Sequence, residues 1–373
     1  MIRGRYRKYL WLAFLLGLPV FFFARDSHAQ SVKDLPPPPA PWKAKPTPTP
    51  KPPEQEVLDV VRVTSNLVMV PVSVTNNQGQ PVQGLQVKDF RLQEEGKVQE
   101  IAEIGNPEQI PLDIAILFDI SSSVSQKGFF QFQQNAAAAF LKLVLKPVDR
   151  AAVFTIAGEP KLVQPLAAAD VAAAKIISIP AATTPVPTAF YDSVSTAAKY
   201  LLANSPSKNR RVIVVISDGD DNFSERIREL SVAEARSTLD GRISSASSLA
   251  SLQDRHRRAV ADVQQAVLNA DVTFYSVNPG GPSVALNQIS TRAQNGMRAI
   301  ADASGGSAFL PDGEKDLERT FQQVAAELRG QYLIQYYASS ENPPGAFRRI
   351  AVSVPAQPQL KVRARQGYYS KKQ

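Results

Sequence analysis

The chain has no cysteine and only two histidines, His28 and His256. Without thiols there is no disulfide, no thiolate metal site and no lipid-modified amino-terminal cysteine, so stability has to come from packing. His28 lies in a segment expected to be removed, which leaves one imidazole in the run Arg255-His256-Arg257-Arg258. Among so many guanidiniums it reads as a surface residue rather than a general base or a metal ligand. Also missing are a phosphate-binding P-loop, a G-x-S-x-G nucleophile elbow and a G-x-G-x-x-G dinucleotide turn. A strong field of one sign is lacking too. The formal net charge is +8, but Arg3, Arg5, Arg7, Lys8 and Arg25 against Asp26 supply +4 of it within the first 29 residues, and the other +4 is spread along the chain. That is no footprint for nucleic acid.

What is present begins with a basic segment, an apolar stretch from Leu10 to Phe23 interrupted by Pro19, and the small residues Ser27 and Ala29. This is the layout of a secretory signal peptide over residues 1–29, with an uncleaved membrane anchor as the rival; the apolar run is shorter than the ~20 residues that span a bilayer comfortably. Either way the bulk of the chain is expected outside the cytoplasm: periplasmic, associated with the cell envelope or extracellular. Residues 30–56 form a linker whose stretch from Pro36 to Pro53 is more than half proline. Polyproline extension at ~3.1 Å per residue makes that stretch a semi-rigid spacer of about 55 Å.

Period-two alternation follows in Val68, Val70, Val72 and Val74, the pattern of a half-buried antiparallel strand. Phe90, Leu92, Val98 and Ile101 continue it within an amino-terminal β module at 57–107. Fifty residues of strand make a thin sheet. Tyr332/Ile334/Tyr336, Ile350/Val352/Val354 and Val362/Ala364 alternate alike, so residues 331–373 are expected to complete the module.

Between them, residues 108–330 alternate strand and helix. The run Ile114 to Phe118 is apolar on both faces, the mark of a central parallel strand covered by helices on either side. A helix is expected over Phe129 to Leu145, with Phe129, Phe132, Ala136, Phe140 and Leu143 on its inner side; strands are expected at 150–157, 211–217, 272–277 and 308–310, with helices between. The fold class is therefore α/β: a Rossmann-like, doubly wound, mostly parallel sheet plus a flanking antiparallel β module.

At the carboxyl end of the central strand stand Asp119, Ser121 and Ser123, spaced D-x-S-x-S where open parallel sheets bind ligands. Hard oxygen donors of this kind suit a hard divalent cation. Taken one by one they have plainer readings: a loop carboxylate, helix caps, and ordinary turn chemistry at Asp218-Gly219. Thr183 and Thr184 compete with Thr188, and Asp220 and Asp221 read equally as helpers or as solvated loop charges. The arginines of the long segment 225–258 read first as a solvated helical face, and alternatively as partner contacts near the rim of the site.

Taken together, Asp119-x-Ser121-x-Ser123, the threonine of Thr188-Ala189-Phe190-Tyr191-Asp192 and the aspartate of Ser217-Asp218-Gly219 resemble the metal-ion-dependent adhesion site of von Willebrand factor type A domains. The motif Asp89-Phe90-Arg91-Leu92-Gln93-Glu94-Glu95-Gly96 and the ending Arg363-Ala364-Arg365-Gln366-Gly367-Tyr368 further resemble exported bacterial proteins that carry a related domain. The resemblance implies that Ser121, Ser123 and Thr188 bind Mg²⁺ (or Mn²⁺ or Ca²⁺) directly, that Asp119 and Asp218 act through waters or hydrogen bonds, and that a partner protein's acidic side chain completes the site. It also implies a type A domain at 108–330 and a non-catalytic protein. One departure is Pro187, where the family usually has glycine. The alternatives are a structural scaffold with a degenerate metal site, or a metal-dependent hydrolase. An aspartyl phosphoryl-transfer enzyme would want a second carboxylate where Ser121 stands, whereas a carboxylate pair acting on sugars needs no local spacing.

Overall fold

The computed structural model describes residues 67–121, 130–228, 236–237, 239–241, 245–281, 288–338, 343 and 345–370. The expected signal peptide and linker and Ser123 lie outside the described residues.

The elements run, in chain order, β1 (Leu67–Thr75), β2 (Arg91–Glu94), β3 (Lys97–Gln99), β4 (Glu103–Gly105), β5 (Leu112–Asp119), α1 (Phe130–Val144), β6 (Arg150–Ile156), β7 (Lys161–Ala167), α2 (Ala169–Ile177), α3 (Phe190–Asn204) and β8 (Arg210–Ile216). They continue with α4 (Glu225–Arg228), α5 (Ser245–Asn269), β9 (Val272–Val277), α6 (Gln288–Ser304), β10 (Ala308–Phe309), α7 (Glu314–Arg329), β11 (Tyr332–Tyr337), β12 (Phe347–Ser353), β13 (Lys361–Ala364) and β14 (Gly367–Tyr369).

A six-stranded sheet in the order β10-β9-β8-β5-β6-β7 forms the centre, parallel throughout except for β7 at its edge. Every residue of β5 and of β8 is buried. Alternation explains why. Ile114, Ile116 and Phe118 face α1, α2 and α7, while Ala115 and Leu117 face α3, α5 and α6, so a strand at the middle needs apolar side chains of both parities. The two apolar layers fix β5 and β8 side by side, and with them the loops at their carboxyl ends.

Two antiparallel sheets accompany this core, in the orders β13-β1-β11-β4 and β14-β12-β2-β3. Val70 pairs with Ile334 and Val72 with Tyr332, and Val70, Val72, Val74, Leu92, Ile334 and Tyr336 share one apolar cluster. Arg363 on β13 reaches the buried Glu327 of α7 at 2.7 Å, which ties a strand of these sheets to a helix of the α/β core.

One local expectation is corrected. On α1 Leu143 is 41% exposed, whereas Ala137 and Leu141 turn inward beside Phe140. The edge strand β7 carries Pro165 and is largely exposed, so it has neither an apolar run nor strict alternation to announce it. In the long segment after β8, Gly241 has φ +70°, at the break expected there, and α5 covers Ser245–Asn269. No helix among the described residues is long and apolar enough to cross a membrane.

Candidate metal centre

Three loops meet above the carboxyl ends of β5 and β8. Asp119 closes β5 and is wholly buried. Its Oδ1 accepts the backbone N–H of Ser121 at 2.7 Å, and its Oδ2 accepts the hydroxyl of Ser217, the residue after β8, at 2.5 Å. Ser217 Oγ in turn accepts the N–H of Gly219 at 3.0 Å. Gly219 stands at φ +75°, in the left-handed region where glycine is at ease, and a Cβ there would lie 2.7 Å from Met297 Sδ.

The third loop leads into α3. Thr188 donates its N–H to Asn222 Oδ1 at 2.9 Å, and its carbonyl accepts the N–H groups of Asn222 and Phe223 at 3.1 and 3.0 Å. Asp221 fastens the same junction. One of its oxygens, Oδ2, accepts the N–H of Tyr191 at 2.8 Å and the Ser224 hydroxyl, while Oδ1 accepts the N–H groups of Phe223 and Ser224. Asp221 is therefore a buried organiser of the loop, not a solvated charge. A sequence signal for it existed: an Asx residue three positions before a serine, just ahead of a helix.

Ser121 and Thr188 line one cleft of about 440 Å³, together with Pro187, Asp220 and Asn222. Thr183 and Thr184 are exposed and Thr188 is buried. Asp119 sits behind the cleft, and the charge of Asp218 reaches it. Ser123 is not among the described residues. The structure thus brings Ser121 and Thr188 to one cleft, ties Asp119 to the Ser121 backbone, and leaves Asp218 within electrostatic reach of Asp119. Ser217, the hydroxyl that holds Asp119, was not singled out from the sequence; only its position at the end of an apolar strand could have pointed to it.

The electrostatics are one-sided. Burial, and then the neighbouring charge of Asp218, push the Asp119 carboxyl up to about 6. Burial likewise raises Asp221 to about 6, and burial with Asp218 raises Asp220. Among the described residues no lysine or arginine forms an ion pair with any of these aspartates. A buried carboxylate met only by neutral donors is electrostatically incomplete. The residues fit a hard cation. Its donors would have to include hydroxyls, because no group of three His, Asp or Glu side chains among the described residues could hold a metal ion.

With this geometry in view, the comparisons fall into place. Residues 114–220 match the family model of the von Willebrand factor type A domain, and the doubly wound sheet around them has the α/β architecture of that domain. No curated protein sequence matches the chain. Among solved structures it is similar to an aerotolerance-related membrane protein from Bacteroides fragilis, at 15% identity and TM-score 0.38, over 57% of this chain and 98% of that one. It is also similar to the proximal thread matrix protein 1 of the mussel byssus with a zinc-occupied MIDAS motif, at 14% identity and TM-score 0.40, over 62% of this chain and 48% of that one. A third is the PilB minor pilin of Streptococcus sanguinis, at 13% identity and TM-score 0.42, over 60% of this chain and 62% of that one.

Proposed function

We propose that this chain is an exported, non-catalytic recognition protein that captures an acidic side chain of a partner protein through a divalent cation, Mg²⁺ or failing that Mn²⁺ or Ca²⁺. One observation carries the reading. Asp119 is wholly buried and held only by neutral donors, directly behind a cleft edged by the Ser121 and Thr188 residues. Ser121, Ser123 and Thr188 would hold the ion through their hydroxyls, and Asp119 and Asp218 would neutralise it from behind. The bound cation would supply a vacant coordination position for the partner's carboxylate.

The chain's own residues prepare that event. Ser217 and the Ser121 N–H hold the Asp119 carboxylate still. Asn222 and Asp221 lock the threonine loop to the loop after β8, so Thr188 would not have to be ordered when the ion arrives. In this reading residues 1–29 direct export, 30–56 hold the folded part away from its anchoring or secretion site, 108–330 are the recognition domain, and 57–107 with 331–373 make one β module. The pairing of β1 with β11 and β13, and of β2 with β12, supports the last point.

The test is a Mg²⁺ and Mn²⁺ titration of the purified chain beside Asp119→Ala, read by thermal unfolding. A metal-dependent rise in Tm that vanishes in the variant is expected; no rise in either protein would leave a scaffold with a degenerate site. Capture of a partner from native envelope that is lost in EDTA would carry the partner half of the proposal.

A further inference from the structure

On the α5/α6 side of the molecule lies a second cavity of about 540 Å³, within the usual range for small-molecule sites. Its inner wall is made by Tyr191, His256, Val260, Gly296 and Ala299, with Arg292 among the residues around them. His256 overturns its sequence reading: the ring is 3% exposed, packed edge-on to Tyr191 with centroids 5.7 Å apart. The Nδ1 atom lies 3.2 Å from the Tyr191 hydroxyl, and Nε2 is buried without a partner.

With Tyr191 donating to Nδ1, the imidazole carries its proton on Nε2, a donor that lacks an acceptor. A buried orphan of this kind leaves its desolvation uncompensated, so it invites an acceptor from outside. Arg292 forms no ion pair among the described residues, although the charge of Asp220 lies within its electrostatic reach. Gly296 keeps the space open, since a Cβ there would stand 3.5 Å from Tyr191 Oη and 3.3 Å from Val260 Cγ2. Of the two guanidiniums in the lining Arg257 is paired with Asp254, so the apolar Val260 and Ala299, the His256 imidazole and Arg292, with the polar Gln253 and Asn295 beside them, match a singly charged head on an apolar body. They do not match a phosphate, which calls for more cations.

We propose that this cavity is a separate binding site for a small organic carboxylate, whose head is met by Arg292 and His256 Nε2 and whose apolar body lies against Val260 and Ala299. Burial first, and then the charges of Arg292 and Arg255, hold the His256 ring well below its ordinary value, at about 4. It therefore meets the carboxylate as a neutral donor, and the guanidinium supplies the charge.

The experiment follows the ring resonances of histidine-labelled full chain in EDTA, with naphthoate and its neutral amide as probes. The His256 signal should move saturably with naphthoate, and the amide should bind at least about tenfold more weakly, roughly 1.4 kcal/mol. Arg292 is only partly exposed and anchors no ion pair among the described residues, so Arg292→Gln should fold normally and weaken naphthoate by a similar factor. No saturable shift at millimolar naphthoate, equal affinity for the amide, or undiminished binding by R292Q would each overturn the proposal. The amide comparison needs no variant, and the presence of EDTA separates this outcome from that of the cation site.

Discussion

Replacing Asp119 by asparagine should stabilise the metal-free protein at neutral pH, and that advantage over the native chain should be largely or wholly lost once Mg²⁺ is added. The native carboxyl titrates at about 6 instead of its ordinary 3.8. A raised acid keeps its proton longer in the folded chain than in the unfolded one, so stability falls as pH climbs from about 4 to about 6 and the whole loss is present at pH 7. At about 1.4 kcal/mol per pH unit this loss is on the order of 3 kcal/mol. Asparagine preserves the acceptor for the Ser121 N–H but must donate to Ser217, and it forfeits two charge-assisted hydrogen bonds, which takes back about 1 kcal/mol. The net gain for D119N in EDTA at pH 7 is therefore about 1 to 3 kcal/mol, shrinking to nothing or reversing near pH 4. Asp221 titrates similarly in both proteins and cancels in the difference. With Mg²⁺ at a hundred times its dissociation constant the native chain regains about 2.7 kcal/mol, and the variant does not. Urea denaturation at pH 4 and pH 7, with and without the metal, measures all four quantities. A stability difference that is independent of pH would refute the electrostatic reasoning, and one that is independent of Mg²⁺ would refute the cation's role.

Away from the cleft, Asp113 is buried and receives Arg150 through Nε at 2.9 Å and Nη2 at 2.8 Å, with Asn209 at 2.9 Å. Burial alone would raise its carboxyl, but these donors outweigh it and hold the group below the usual range, so its stabilisation is present above pH about 4 and lost as the solution is acidified through the lower folded value. Asp113→Ala should cost about 2 to 3 kcal/mol at pH 7, less than the 3 to 5 of a fully buried pair because Arg150 keeps 38% of its side-chain exposure; equilibrium denaturation checks it. Gly219→Ala should lose about 1 to 2 kcal/mol from left-handed strain and pressure on Met297, and should reduce the Mg²⁺-induced rise in Tm. Phe321→Ala, which empties a site 5.3 Å from the Phe140 ring, should cost about 3 to 5 kcal/mol in chemical denaturation while leaving the metal response intact.

Those parts of the fold that bury both faces were the most legible in the sequence. In β5, β8 and β9 every position is buried, so the run itself announces a central strand. Single-faced or edge elements announce less. β7 has its charge and proline at a sheet edge where neither is penalised. On α5 the neighbouring arginines suggested a solvated surface, yet His256, Ala259, Val263 and Val267 recur at helical spacing and all are buried. The period was present in the sequence and the local charge outweighed it in the reading. At the metal centre a strand end followed by D-x-S-x-S was conspicuous. Ser217 and Asp221 were not, because their roles exist only as hydrogen bonds between loops that the sheet brings together.

That difference bears on how the site works. Packing of β5 and β8 between two apolar layers is independent of the cleft chemistry, so the fold can tolerate three aspartates whose carboxyls are raised by burial and, for Asp119 and Asp220, by the charge of Asp218. If the cluster were neutralised by a resident arginine, the chain would be more stable and a cation would gain nothing by entering. Leaving the charge unmatched keeps several kcal/mol of unfavourable electrostatics at the sheet edge, where binding of a divalent ion would relieve them without any rearrangement of the sheet. On this argument a lysine or arginine introduced beside Asp119 should raise metal-free stability and abolish the response to Mg²⁺ together, because both draw on the same uncompensated carboxylate.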